Sequence, residues 1–170
     1  VMRLFKEGNS FLCTTLSPAL PYALFDRSVS CASEVEQFNG NMVFDGIIAN
    51  AKAALEQGIP VALGNDVGCP WITQYDFWRE LCCFEKYVGV SRSFALHTAM
   101  LRNAQLAGIG DITGSIEVGK EADMIVTASN PLDDLRALRT VKHVIHRGRL
   151  IVNPRVKRKS VVDRELDKFF

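Results

Sequence analysis

The sequence predicts an α/β unit built on a parallel crossover, with a small β layer following it. Three patterns carry that reading. The run Ile59-Pro60-Val61-Ala62-Leu63 is apolar without alternation, as in a strand covered on both faces, and such strands are usually parallel. Between residues 42 and 57, Phe44, Ile47, Ile48, Ala51, Ala54 and Leu55 recur at helical spacing, placing a helix between that run and an earlier β-rich stretch. Beyond Gly110 the pattern changes to short β-prone segments punctuated by glycine.

Taken in order, residues 1–7 read as the tail of a helix ending at Gly8. Residues 10–16 read as a strand stopped by Ser17-Pro18. Pro18 and Pro21 are expected to open a long irregular segment reaching Asn39-Gly40, of the kind that forms lids or walls. The helix over 42–57 takes Asn41 as its cap and Gly58 as its stop. With strands on either side it makes a crossover that brings Ser17 and Asp66 to one edge of the sheet. Thr73-Gln74-Tyr75-Asp76 resembles a capping box and starts a helix with Phe77, Leu81, Phe84 and Val88 inward, stopped by Gly89. A further helix runs from Ser91 to about Ala107, ended by Gly108. Residues 114–126 read as two short strands around Gly119-Lys120. Residues 132–138 form a helical link, and 141–146 and 149–152 form a hairpin turning at Arg147-Gly148.

The composition is that of a globular domain: 170 residues, 48% hydrophobic and 23% charged. A formal net charge of +1 gives no reason to expect nucleic acid or an anionic membrane as partner. The cluster Arg155, Lys157, Arg158, Lys159 reads as a solvated surface segment. No stretch reaches the roughly 18 to 20 apolar residues of a membrane span, and a cytoplasmic location is expected. The five cysteines are odd in number, include the adjacent Cys82 and Cys83, and show no zinc-knot spacing, so reduced thiols are expected.

The stretch Gly64-Asn65-Asp66-Val67-Gly68 closes the buried run. These are residues that turns select, so a plain turn is one reading. The other is a functional Asp66, because ligands and catalytic groups gather at the carboxyl ends of parallel strands. Ser17, Asn65, Cys69 and Trp71, expected on loops at the same edge, are candidate substrate-contacting residues.

Several segments together resemble the carboxyl-terminal half of the metal-dependent amidohydrolase superfamily, in its prolidase-like and imidazolonepropionase-like branch. Residues 12–18 resemble the family's seventh strand and loop, and 60–66 its eighth strand with the metal-site aspartate. Residues 94–104 resemble the helix after that strand. The run Gly114-x-Ile116-x-x-Gly119-Lys120-x-Ala122-Asp123 resembles the return into the family's β-sandwich and is the most specific part. Asn130-Pro131-Leu132 and 144–149 fit the closing segment. The resemblance implies the carboxyl-terminal part of a (β/α)8 TIM-like barrel, its last two strand-helix units, plus strands of a small β-sandwich. Residues 1–109 would be barrel, 110–153 sandwich, and 154–170 a charged carboxyl-terminal tail. It implies a divalent metal, zinc by preference, as one or two ions, and Asp66 as metal ligand and proton carrier. The implied reaction is hydrolysis of an amide-type carbon-nitrogen bond, in an Xaa-Pro dipeptide or a cyclic amide. Asp123 lies in the sandwich motif and is assigned a structural role.

The family's other ligands, a His-x-His pair, a lysine or glutamate, and two strand-end histidines, have no counterpart here. A complete barrel needs about 250 residues. His97 falls mid-helix, and His143 and His146, three apart on a strand, point to opposite faces. The chain therefore reads as a portion of such an enzyme, inactive by itself. A truncated non-catalytic or binding subunit and a ring-amine deaminase of the same superfamily are the alternatives. An open quarter barrel has unpaired edges, so association, as a homo-oligomer, is expected.

Overall fold

The computed structural model describes residues 1–170. A short helix α1, Met2–Glu7, precedes strand β1, Leu12–Thr14. Three helices follow, α2 at Leu16–Leu24, α3 at Arg27–Ser30 and α4 at Glu34–Glu56, before strand β2 at Val61–Leu63. β1 and β2 pair in parallel, with Leu12, Cys13 and Thr14 opposite Val61, Ala62 and Leu63. All three β2 residues are buried, as the unbroken apolar run requires.

The crossover is more helical than expected. The first strand is shorter than 10–16, and the segment read as irregular from Pro18 to Gly40 is mostly helix. Pro18 sits in the first turn of α2, where a backbone N–H has no intrahelical partner to lose. Pro21 lies deeper and forgoes one bond, yet the helix continues to Leu24.

Helix α4 starts well before the cap assigned to Asn41. Its cap is Ser33, whose Oγ accepts the Glu36 N–H at 3.2 Å while the Glu36 carboxylate accepts the Ser33 N–H at 2.8 Å. This capping box satisfies two otherwise orphaned donors. Gly40, inside α4, is kept by packing against α2. A Cβ there would stand 2.6 Å from Tyr22 Cβ.

Helix α5, Phe77–Cys83, runs into a π-turn over Phe84–Val88 and stops at Gly89 in the left-handed region. Helix α6, Arg92–His97, begins directly after its cap Ser91, where a helix start was expected; it continues through a second π-turn, Thr98–Arg102, into α7, Asn103–Leu106. The core gathers Leu16 and Leu20 of α2, Phe44 and Ala51 of α4, the two strands, and Trp78, Leu81 and Phe84. No helix is long and apolar enough to cross a membrane.

The β layer holds β3 at Met124–Thr127, β4 at Val141–His146 and β5 at Arg149–Val152, antiparallel in the order β3-β4-β5. The β4–β5 hairpin turns at Arg147 and Gly148, both at positive φ, as a two-residue type I′ turn demands. Only one strand forms between 114 and 126. The first was expected around Ile116 and Val118, which are exposed and find no partner strand. A 3-10 helix, Leu135–Arg139, replaces the link expected over 132–138.

The basic cluster from Arg155 to Lys159 is exposed. The residues after it are no loose tail. Helix α8, Ser160–Leu166, and a 3-10 turn, Asp167–Phe169, dock on the core, with Leu166 buried, Phe169 stacked on Phe25 and Phe170 edge-on to Trp78. Charged residues at helical spacing mask this contact in the sequence.

Candidate active site at the carboxyl ends of the parallel strands

β2 ends against two fixed points. The Gly64 N–H donates to Thr14 O at 2.8 Å, and a Cβ on Gly64 would press on the Cys13 side chain, 3.1 Å from its Sγ. On the far side, the Asn103 carboxamide bonds the backbone of Leu63, accepting its N–H at 2.9 Å and donating to its carbonyl at 2.8 Å.

From there the chain turns sharply. Asp66 and Trp71 have φ of 48° and 70°, and Gly68 has 121°. Asp tolerates the left-handed region, whereas for a bulky Trp it is strained. Trp71 is held by the edge of Phe25 at 5.0 Å between ring centroids. The Asp66 carbonyl accepts the Cys69 N–H at 3.2 Å, and its carboxylate accepts the Cys69 thiol at 3.1 Å. That hydrogen bond, helped by burial and the carboxylate's charge, raises the pKa of the Cys69 thiol. Cys69 is thus held as a thiol, not an activated nucleophile.

Asp66 is exposed at the strand end, with Asn65, Cys69 and Trp71 half-buried around it. Ser17 is not on an open loop. It is buried as the second residue of α2, and its hydroxyl is engaged inward.

The partner of Ser17 is Glu80, a structural carboxylate that sequence reasoning missed. Glu80 is fully buried on α5. Its Oε1 accepts Leu16 N–H at 2.8 Å and the Thr14 hydroxyl at 3.4 Å. Its Oε2 accepts Ser17 N–H at 2.7 Å and the Ser17 hydroxyl at 2.6 Å. One carboxylate therefore ties the end of β1 to the positive end of α2. Burial raises the Glu80 pKa, opposed by the Ser17, Leu16 and Thr14 donors.

Beside it, Arg79 is 2% exposed and lies between Asp167 at 2.8 Å, Asp163 at 3.4 Å and Asp76 at 3.5 Å. Its guanidinium covers the Trp78 ring at 4.4 Å. A cavity of about 10 Å³ beside Arg79 is lined by Ser17, Asn65 and Asp76 among others. The sequence signal was an Arg-Glu pair set inside an apolar helical stripe, where a charge needs a buried partner.

The histidines lie elsewhere. His97 ends α6. His143 and His146 are on β4, and His146 Nδ1 stands 2.9 Å from Asp123 Oδ1. Asp123 also accepts the Arg147 N–H at 2.9 Å and the Thr113 hydroxyl at 3.1 Å. These bonds fix the β4–β5 turn and agree with a structural role. No group of three or more His, Cys, Asp or Glu side chains converges to hold a metal ion. A catalytic divalent metal takes about three protein ligands, and the residues present do not by themselves fit one.

The model of the amidohydrolase family matches residues 28–152. The chain belongs to the amidohydrolase family. Over 111 residues this amidohydrolase chain is 33% identical to the imidazolonepropionase of Symbiobacterium thermophilum, covering 62% of the chain and 25% of that relative. The Thermoplasma volcanium imidazolonepropionase is 25% identical over 161 residues, 86% of the chain and 40% of that relative. Among solved structures, a Bifidobacterium longum protein assigned as a prolidase superposes with a TM-score of 0.89 and 40% identity, over 94% of this chain and 39% of that one. An Xaa-Pro dipeptidase with methionine bound in its active site gives 0.77 and 28%, over 89% and 36%. The amidohydrolase chain thus spans between 25% and 40% of the length of these relatives. Its mixed α/β fold is that of prolidase-like structures.

Proposed function

We propose that these residues are the carboxyl-terminal part of a divalent-metal-dependent amidohydrolase that cleaves an amide-type carbon-nitrogen bond, an Xaa-Pro dipeptide being the favoured substrate. In this reading β1 and β2 are the last two strands of a (β/α)8 barrel, residues 1–109 belong to that barrel, and 110–153 supply strands of a β-sandwich. The observation that carries it is Asp66, an exposed carboxylate at the carboxyl end of a buried parallel strand, held by a left-handed turn. The likeness to the Bifidobacterium longum protein and to the Xaa-Pro dipeptidase supports the dipeptide over a cyclic amide.

Asp66 accepts the proton of the attacking water and returns it to the leaving nitrogen, work a carboxylate at this edge can perform. Asn65 and Trp71 flank it as substrate-contacting residues. Zinc is the metal proposed for the whole protein. This chain contributes one carboxylate toward it, and the further ligands lie outside these residues.

The test compares the natural protein carrying these residues with its Asp66→Asn variant, on Xaa-Pro dipeptides, cyclic amides and aminated heterocycles, with zinc content measured alongside. Loss of dipeptide hydrolysis by about 10²-fold or more, at an unchanged circular dichroism spectrum, is expected. An Asp66→Asn protein that keeps the parent rate would overturn the assignment, and turnover of aminated rings alone would make it a deaminase.

A further inference from the structure

Leu63 is the last residue of β2 and stands just before the loop that carries Asp66. On the β1 side the strand is paired, Thr14 lying opposite Leu63 and binding the Gly64 N–H. Leu63 turns its N–H and carbonyl to the side of β2 that faces away from β1. There the Asn103 side chain accepts the Leu63 N–H and donates to the Leu63 carbonyl, at 2.9 and 2.8 Å. A carboxamide carries the same planar pair of donor and acceptor as a peptide unit, the pair an adjacent strand would offer.

We infer that Asn103 is a positioning residue: its carboxamide holds both the N–H and the carbonyl of Leu63 and fixes the point from which the Asp66 loop departs. The inference rests on the proposed role of Asp66. The helix is built to deliver this side chain. Between α6 and α7 the π-turn Thr98–Arg102 inserts one residue, which rotates α7 by about 100° relative to an uninterrupted helix. Thr98, fully buried in that turn, donates its hydroxyl to Phe94 O at 2.8 Å. Asn103 comes directly after the π-turn. With Gly64 pressed on Cys13 and Leu63 clamped by Asn103, the strand end is gripped from both sides, and the left-handed Asp66 has a rigid base.

The experiment measures amide exchange and 15N relaxation on the natural protein that carries these residues and on its Asn103→Ala variant. Exchange at Leu63 is expected to accelerate about tenfold or more, while Gly64, bonded to Thr14, stays protected. The order parameter at Asp66 is expected to fall from about 0.85 to below about 0.6. In the natural protein, kcat should drop by up to about 10²-fold with KM held. If Asn103→Ala does not fold, Asn103→Leu, which keeps the size and loses both bonds to Leu63, is measured in the same way and should give the same changes. A melting temperature that falls while Leu63 protection and Asp66 order are kept would overturn the inference and leave Asn103 a scaffold residue. Exchange and order decide the clamp, whereas hydrolysis by Asp66→Asn decides the function, so the two can fail separately.

Discussion

Glu80 offers the sharpest test of how the strand end is held. Each of its carboxylate oxygens takes one backbone N–H and one hydroxyl, from Leu16 with Thr14 and from Ser17. Glu80→Gln keeps the shape but turns one oxygen into a donor, so either Leu16 N–H or Ser17 N–H is left buried and unpaired, at about 1–3 kcal/mol. Glu80→Ala orphans both and leaves a void, for about 3–6 kcal/mol in all. Against a typical domain stability of about 5–15 kcal/mol, the first variant folds and the second approaches the limit. Urea unfolding followed by far-ultraviolet circular dichroism reads this directly. With a slope of about 2 kcal/mol/M, Glu80→Gln should lower the midpoint by about 1 M. A Glu80→Gln midpoint equivalent to the parent within about 0.5 kcal/mol would refute the account, as would equal losses in the two variants, because the number of acceptors would then not matter.

Two more predictions concern packing and charge. Gly40→Ala should destabilise, because about 1–3 kcal/mol of overpacking against Tyr22 outweighs a helix-propensity gain of about 1 kcal/mol; Gly46→Ala, with nothing within 4 Å, should keep that gain. Equal melting temperatures for the two variants would contradict this. For Asp167, burial works upward, but the Arg79 and Arg139 bonds prevail and hold its pKa below the ordinary carboxylate value of 3.8. Its stabilising contribution is therefore present above that value and lost as pH falls through the lower, folded one. Melting temperature followed from pH 7 downward should fall less steeply at the acid end for Asp167→Asn, and parallel curves would refute the assignment.

Much of the scaffold can be read from one sequence because punctuation and periodicity are local. The buried run of β2, the Ser91 cap, the stops at Gly89 and Gly108 and the Arg147-Gly148 turn each declare themselves within a few residues. The start of α4 escaped because Gly40 and Gly46 weaken the helical pattern, although Ser33 and Glu36 spelled its true cap. The stretch around Ile116 and Val118 has β-prone residues, but a strand needs a partner, which no local pattern reveals. The position of Asp66 was legible. Its grip was not, since Asn103 lies 40 residues from Leu63 and Glu80 lies 63 residues from Ser17.

The ion pair of Arg79 with the chain's last helical segment bears on the order of assembly. Asp163 lies 84 residues after Arg79, and Asp167 comes after it. A ribosome will have released α5 long before either carboxylate exists. Until they arrive, burying the guanidinium beside Asp76 alone costs several kcal/mol, about the 3–5 kcal/mol that accompanies loss of a buried charge's partner. The core around Trp78 therefore closes only once residues 160–167 have been made. A protease that cuts between Asn153 and Ser160 would open that core instead of trimming a surface.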